Sequence, residues 1–162
     1  MPTDLFDDER ITAFGLFVEA YTGLHSRLAE QFAEHSLSFV EFEVLIRLTR
    51  SDQHQLRMTD LAAQTSLSTS GVTRVVDRME RDGLVCRRAC TQDRRSSFAV
   101  VTTAGLERLN QALPGHLELI EQWFTGRLGA DQLNDTLTAL RIIRDAVAPA
   151  ATSGATGLAA RH

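Results

Sequence analysis

Apolar residues return along this chain at helical spacing over most of its length and alternate with polar ones only in short stretches near the middle. From Asp7-Asp8-Glu9, acids suited to a first helical turn, a long helix is predicted to about His35. Its apolar positions follow two registers, Ile11, Val18, His25, Phe32 and Phe14, Tyr21, Leu28, His35, with Phe17 and Leu24 widening the stripe. Such a seam needs a partner along most of its side. Ser38 with Glu41 three residues on forms a capping box for a second, largely buried helix carrying Phe39, Phe42, Val44, Leu45, Ile46 and Leu48. Ser51 to Gln55 reads as a polar loop, and Leu56 to Met58 as a short strand.

The central stretch, Leu67 to Thr102, holds two signals back to back. The first is an amphipathic helix with Ser68, Thr69 and Ser70 as capping hydroxyls. Val72, Val75, Val76 and Met79 make its buried face; Ser70, Thr73, Arg74, Asp77, Arg78 and Arg81 lie opposite. Gly83 ends it, where a left-handed residue is wanted. The second signal is a hairpin, Leu84 to Arg88 and Phe98 to Val101, whose connection holds Asp93, Arg94 and Arg95. Upstream, Met58 to Thr65 reads as another short helix, with Thr59 as its cap and Ser66-Leu67-Ser68 as a tight turn. Together these spell a helix-turn-helix followed by a wing.

Thr102 or Thr103 caps the next helix, Ala104 to Arg127, in which Leu106, Leu109, Leu113, Leu117, Ile120, Phe124 and Leu128 repeat at three and four. Pro114-Gly115 predicts a kink or short break in it. The last helix, Ala130 to Val147, carries Leu133, Leu137, Leu140, Ile143 and Val147 on one face. Pro149 ends it. Met1 to Phe6 is expected to be loose, and residues 149–162 to form a disordered tail. The fold class is therefore mainly α: a winged helix-turn-helix over residues 37–102, flanked by long dimerisation helices at 1–36 and 103–148. The apolar faces of the flanking helices exceed what one small winged helix can cover, which favours a homodimer.

The run MTDLAAQTSLSTSGVTRVVDRMERDGLVCRR, followed by DRRSSFAVVTTAGLERL, resembles the winged helix of the MarR (multiple antibiotic resistance regulator) family. The matching pieces are Asp60-Leu61-Ala62, Ser68 to Arg74, Val76-Asp77-Arg78, Asp82-Gly83-Leu84-Val85, Arg87, Asp93-Arg94-Arg95 and Thr102 to Gly105, in order and without a gap. The flanking helices match in number and length, so the resemblance spans roughly residues 5–148. It implies a dimeric DNA-binding regulator of transcription, by default a repressor, reading a pseudo-palindromic operator in double-stranded DNA. It also implies a small-molecule pocket between the dimer helices and the winged helix, often taking aromatic acids or phenols.

Charge at first argues against DNA, since the net charge is −4 over 162 residues. Its distribution reverses the argument: residues 57–95 hold eight Arg against five acids, +3, and the remainder nine Arg against sixteen acids, −7. Local charge is what meets phosphates. A plain alternative pairs these charges internally, Asp77 with Arg81 and Arg78 with Asp82. Within the site, Ser68, Thr69 and Ser70 sit at a helix N-terminus suited to phosphates. Thr73 and Arg74, one turn in, are placed for base edges, Arg74 for guanine. Arg78 and Arg81 suit phosphates or internal pairs. Asp93 would repel phosphate; pairing with a neighbouring Arg to hold the wing suits it better. Of Arg94 and Arg95, one belongs to that pair and one to the minor groove. Arg87 lies on a strand, where it can face inward.

For the effector, His25 and His35 occupy seam positions that are usually apolar, either as hydrogen-bonded core groups or as pocket groups. Arg10, on the flank of the same stripe, could meet a carboxylate, and Phe39, Phe42 and Trp123 could line a pocket or simply pack. Ten residues apart on one helix, His25 and His35 lie about 15 Å apart along its axis and cannot share a metal. Cys86 and Cys90 make neither a disulfide framework nor a zinc spacing. Cys90, among Arg87, Arg88, Arg94 and Arg95, fits a redox-sensing thiolate, although the peroxide-sensing branch of the family carries its reactive Cys near the N-terminus, where this chain has none. No phosphate-cradling loop, zinc spacing or nucleophile motif supports an enzyme, and no cofactor is expected. A winged helix used only for protein contacts is the third alternative, but it has no need of Arg94 and Arg95 together. With no signal-like run and no membrane-length apolar stretch, a cytoplasmic protein is expected.

Overall fold

The computed structural model describes residues 5–90 and 96–152. Helix α1 (Glu9–Glu34) starts at Asp8, whose side chain accepts the Arg10 N–H, and follows a 3-10 turn at Leu5–Asp7. Only its C-terminal part is packed. Phe32 is fully buried, while Ile11, Phe14, Phe17, Val18 and Tyr21 remain exposed. Helix α2 (Phe39–Thr49) carries the expected capping box, with Ser38 and Glu41 each satisfying the other's backbone N–H. Phe32 of α1 stacks on Phe42 of α2 at 4.1 Å between ring centroids.

Strand β1 (Gln55–Arg57) runs straight into α3 (Met58–Gln64), so Arg57 rather than Thr59 occupies the N-cap position, and no side chain caps there. The chain has no room for a separate cap because its strand pairing ends at Arg57. Helix α4 (Thr69–Arg81) begins at Ser68, whose hydroxyl accepts the Gly71 N–H at 3.0 Å. Its inner face holds Val72, Val76 and Met79, each with no exposed surface. Burying each such side chain stabilises the helix's seat by roughly 1.5–3 kcal/mol. Gly83 takes φ +73°, the left-handed conformation that stops the helix.

Strands β2 (Val85–Ala89) and β3 (Ser97–Val101) form the wing hairpin, and β1 adds to its far side in the antiparallel order β1-β3-β2. Leu56, Ala99 and Arg87 align across the sheet, as do Arg57, Phe98 and Arg88. Thr102 then caps α5 (Thr103–Trp123) by accepting the Gly105 N–H at 3.0 Å, and donates to the Gly83 carbonyl at 2.6 Å. One hydroxyl thus ties the wing's exit to the end of the α4 helix.

Two expectations for the C-terminal half are corrected. Of the kink or short break expected at Pro114-Gly115, the break does not occur: helix α5 runs unbroken through Pro114, which removes one backbone donor there without ending the helix. The interruption lies instead at Phe124 (φ −129°, ψ −77°), and a 3-10 turn at Thr125–Arg127 follows, so the helix stops short of Arg127. After α6 (Ala130–Val147), Pro149–Thr152 is a 3-10 turn rather than loose tail. It lies against α3, and Arg47 of α2 donates to the Ala151 carbonyl at 3.5 Å. The rest of the expected tail, and Met1–Asp4, fall outside the described residues. Helix α6 has no buried residue, and its Ile142, Ile143 and Val147 are exposed.

Candidate nucleic-acid interface

Packing of Val72, Val76 and Met79 against the core turns the other side of α4 outward. Ser68, Thr69, Ser70, Thr73, Arg74, Asp77, Arg78 and Arg81 are all exposed. At the helix start the Ser68 and Ser70 hydroxyls lie 3.2 Å apart, and Ser68 already satisfies Gly71. The N–H groups of Thr69 and Ser70 precede the helix's own hydrogen-bond ladder, which leaves them for an anion. Thr73 donates its hydroxyl to the Thr69 carbonyl at 2.8 Å, fixing its rotamer. Arg74 projects from the centre of the stripe and pairs with no acid among the described residues.

The acids next to this stripe are neutralised, but by partners other than those expected from helical spacing. Arg87, on β2, reaches Asp77 at 2.6 Å and Glu80 at 2.7 Å, and donates to the Thr73 carbonyl at 3.3 Å. Its own backbone N–H donates to Glu80 at 3.0 Å. Arg87 therefore clasps the wing to α4, and Asp77 is not left for Arg81, which donates to the Asp77 carbonyl instead of its carboxylate. On the other flank Arg78 meets Glu41 of α2 rather than Asp82, with Nε 2.5 Å from the carboxylate. Burial pushes the Glu41 carboxyl up, but the Ser38 N–H, Arg78 and the Ser38 hydroxyl together outweigh it and hold the group below its ordinary value.

Of the wing residues, Asp93, Arg94 and Arg95 lie outside the described residues. The sheet's outer face is basic: Arg57 sits 5.5 Å over the Phe98 ring, and Arg88 is hydrogen-bonded to Gln55. The thiols differ in exposure, Cys86 lying within β2 and Cys90 just past its end. Cys86 is exposed and Cys90 is buried, with its N–H held by the Ser96 carbonyl at 3.0 Å. Burial of Cys90 withholds the access that a redox role for it requires.

A cavity of about 370 Å³ opens between α2, α3, α5, α6 and the 149–152 turn. Phe39, Phe42, Arg47, Arg50, His116 and Arg144 are among its lining. Of the residues singled out from sequence for a pocket, Phe39 and Phe42 line it, whereas Arg10, His25 and His35 do not. Arg10 is held by Asp8 at 2.6 Å at the far start of α1. His25 packs on Phe39 at 4.4 Å, next to the cavity wall, and His35 serves as the C-cap of α1. Trp123 is covered by the guanidinium groups of Arg27 and Arg127, 3.9 and 4.9 Å from its ring. The histidine that does reach the cavity, His116, was not marked by any sequence pattern. Its ring lies 4.8 Å from Phe32 and 4.5 Å from Phe42, its Nδ1 has no partner among the described residues, and burial holds its pKa below the ordinary value. Among the described residues no three metal-ligating side chains gather, and no helix is long and apolar enough to cross a membrane.

Against known proteins, the MarR family model matches residues 37–97, from the α2 cap into β3. AbsC, a MarR family transcriptional regulator from Streptomyces coelicolor, superposes with a TM-score of 0.83 at 30% identity, covering 90% of this chain and 98% of that one. Sco3205, a MarR family regulator from the same organism solved in complex with DNA, gives 0.81 at 30% identity, covering 86% and 88%. The HTH-type transcriptional repressor YetL of Bacillus subtilis (strain 168) is 38% identical over 89 residues, 55% of this chain. That match spans 53% of YetL, about half of its length.

Proposed function

Since the chain belongs to the MarR family of DNA-binding transcriptional regulators, we propose that it is a homodimeric repressor released from a pseudo-palindromic operator by a small aromatic or phenolic acid. The observation that carries the effector reading is the position of the cavity. It lies between the helix-turn-helix and the helices whose apolar faces are bare, so a bound molecule touches both parts at once. Phe39, Phe42 and His116 offer an aromatic wall, and Arg47, Arg50 and Arg144 stand among the lining against one acid, Glu43. A ring with a carboxylate suits that combination.

In this reading Thr73 and Arg74 meet base edges, while Ser68, Thr69, Ser70 and Arg78 meet phosphates. On sequence grounds Asp93 steadies the wing, and Arg94 and Arg95 divide between that pair and the minor groove. The bare stripe of Ile11, Phe14, Val18 and Tyr21 on α1, with Ile142, Ile143 and Val147 on α6, is the dimer face. Two copies would present two α4 helices about one duplex turn apart.

The test is fluorescence anisotropy on the DNA immediately upstream of the chain's own gene, at several salt concentrations, with and without aromatic carboxylates. Tight binding relieved by one of them, and lost in an Arg94→Ala/Arg95→Ala variant that still sediments as a dimer, supports the proposal. A monomer in sedimentation, or a complex that no carboxylate relieves, sinks the corresponding part.

A further inference from the structure

Glu41 looks like a capping residue, yet its carboxylate has two ends and only one is used for capping. One oxygen, Oε2, accepts from the Ser38 N–H and hydroxyl, both at 2.8 Å. The other, Oε1, accepts from Arg78 Nε at 2.5 Å, across from α2 to α4. The Glu41 side chain is 8% exposed and that of Arg78 is 47% exposed. Arg78 thus spends Nε on a buried anchor. Neither of its terminal nitrogens has a partner among the described residues, and half of the side chain faces solvent.

We propose that Glu41 is a positioning residue for DNA recognition: it holds Arg78 by Nε so that the two terminal nitrogens face a phosphate already ordered. A guanidinium offers five donors in a fixed fork, so one edge can be tethered while the other takes an oxyanion pair. A free Arg on a helix surface loses most of its rotamer freedom on binding; one already tethered has lost it on folding. Arg78 lies on the flank of the Ser70–Arg74–Arg81 stripe, one helical turn beyond Arg74, where a helix seated in the major groove runs beside the backbone. The anchor also carries position from α2. Phe39 and Phe42, on either side of Glu41, line the cavity, so a shift of the first turn of α2 moves the anchor with it. The inference rests on the DNA-binding reading above.

Elementary electrostatics and this proposal predict opposite signs, which makes the test sharp. Glu41→Gln removes a negative charge near bound DNA, and charge alone would tighten binding. If Glu41 acts by holding Arg78, binding instead weakens by roughly tenfold, the scale of one side chain's ordering. The measurement is anisotropy with the full chain on two probes, a duplex it selects from a randomised pool and an unrelated duplex of equal length. Loss on both probes is expected, because a phosphate contact is blind to sequence. Arg78→Ala should also weaken both and lower the salt slope by about one. The decisive variant is the double, Glu41→Gln/Arg78→Ala, which should bind as Arg78→Ala does. Equal or tighter binding by Glu41→Gln, or a further loss in the double variant, overturns the proposal. Should Glu41→Gln melt early, Arg78→Lys asks the same question. It keeps the charge but lacks the fork, so a loss near that of Arg78→Ala supports the anchor and wild-type affinity refutes it. Failure of the wild-type chain to bind either duplex would overturn the DNA-binding reading itself, an outcome distinct from any difference between variants.

Discussion

Replacing Arg87 by alanine should weaken DNA binding more than it weakens the fold, although Arg87 need not touch DNA. The residue closes two ion pairs, to Asp77 and Glu80, and a hydrogen bond to the Thr73 carbonyl. The side chains are 27%, 50% and 39% exposed for Arg87, Asp77 and Glu80. Pairs so open to solvent contribute about 0.2–1 kcal/mol each. The loss of stability should therefore stay near 1–2 kcal/mol and lower the melting temperature by a few degrees, about 2–4 °C per kcal/mol for a chain of this size. The effect on DNA has a different origin. Two carboxylates beside the recognition stripe lose their counter-charge. Each, at ~4–8 Å from a phosphate in a water-like dielectric, costs about 0.5–1 kcal/mol. Together that is a five- to thirty-fold loss of affinity, on the scale that 1–2 kcal/mol sets, largest at low salt and shrinking as salt screens it.

The assay is anisotropy across a salt series, beside a thermal melt of the same protein. The triple variant Arg87→Ala/Asp77→Asn/Glu80→Gln separates the two effects. It should recover most of the affinity at low salt while remaining less stable than wild type, since the clasp is still missing. Wild-type affinity in Arg87→Ala, or a loss that the two neutral amides do not relieve, would refute the charge argument.

Gly105→Ala should cost about 1–3 kcal/mol in a urea melt, because its β-carbon would collide with the Leu84 carbonyl and come within 2.8 Å of the Val101 methyl; wild-type stability would mean that α5 does not press on the wing's base. His116→Phe should flatten the acid side of the stability curve. Burial holds His116 below its unfolded value of 6.5, so as pH falls through 6.5 the unfolded chain binds a proton the folded one refuses, and stability drops until the folded value is passed. The difference between wild-type and variant urea midpoints across about pH 5–8 isolates this group, and a difference that does not change with pH would refute it.

The fold was legible because most of it is decided locally. The Ser38–Glu41 box, the Val72–Val76–Met79 spacing, Gly83 and the Thr102 cap each involve residues within about two turns of one another. Where local rules misled, a neighbour in space had overruled them. Pro114 predicts a kink or a short break, and the break does not occur: α1 lies alongside, and Gln31 donates to the Ala112 carbonyl at 3.0 Å just before the proline. The turn after Pro149 has the composition of a tail, yet it lies on α3, which is eighty-odd residues away in sequence. No periodicity within the segment could announce that contact.

The same distinction separates the parts of the site. Outward side chains of α4 follow from which face is apolar, so Ser70, Thr73 and Arg74 could be placed from sequence. The partners of its charges could not. Helical spacing offers Asp77 to Arg81 and Asp82 to Arg78, but exposed i, i+4 pairs are weak. A partner held by another element needs less further ordering. Arg87 comes from a strand fixed by five aligned pairs with β3, and Glu41 from a capped helix turn. Both hold their charges in place before α4's side chains choose. The pairs that Arg87 makes with Asp77 and Glu80 ease the apparent misfit of an acidic chain that reads DNA. Asp77 and Glu80, beside the recognition stripe, are matched from outside the helix, and Arg74 is left in the middle with no acid partner among the described residues.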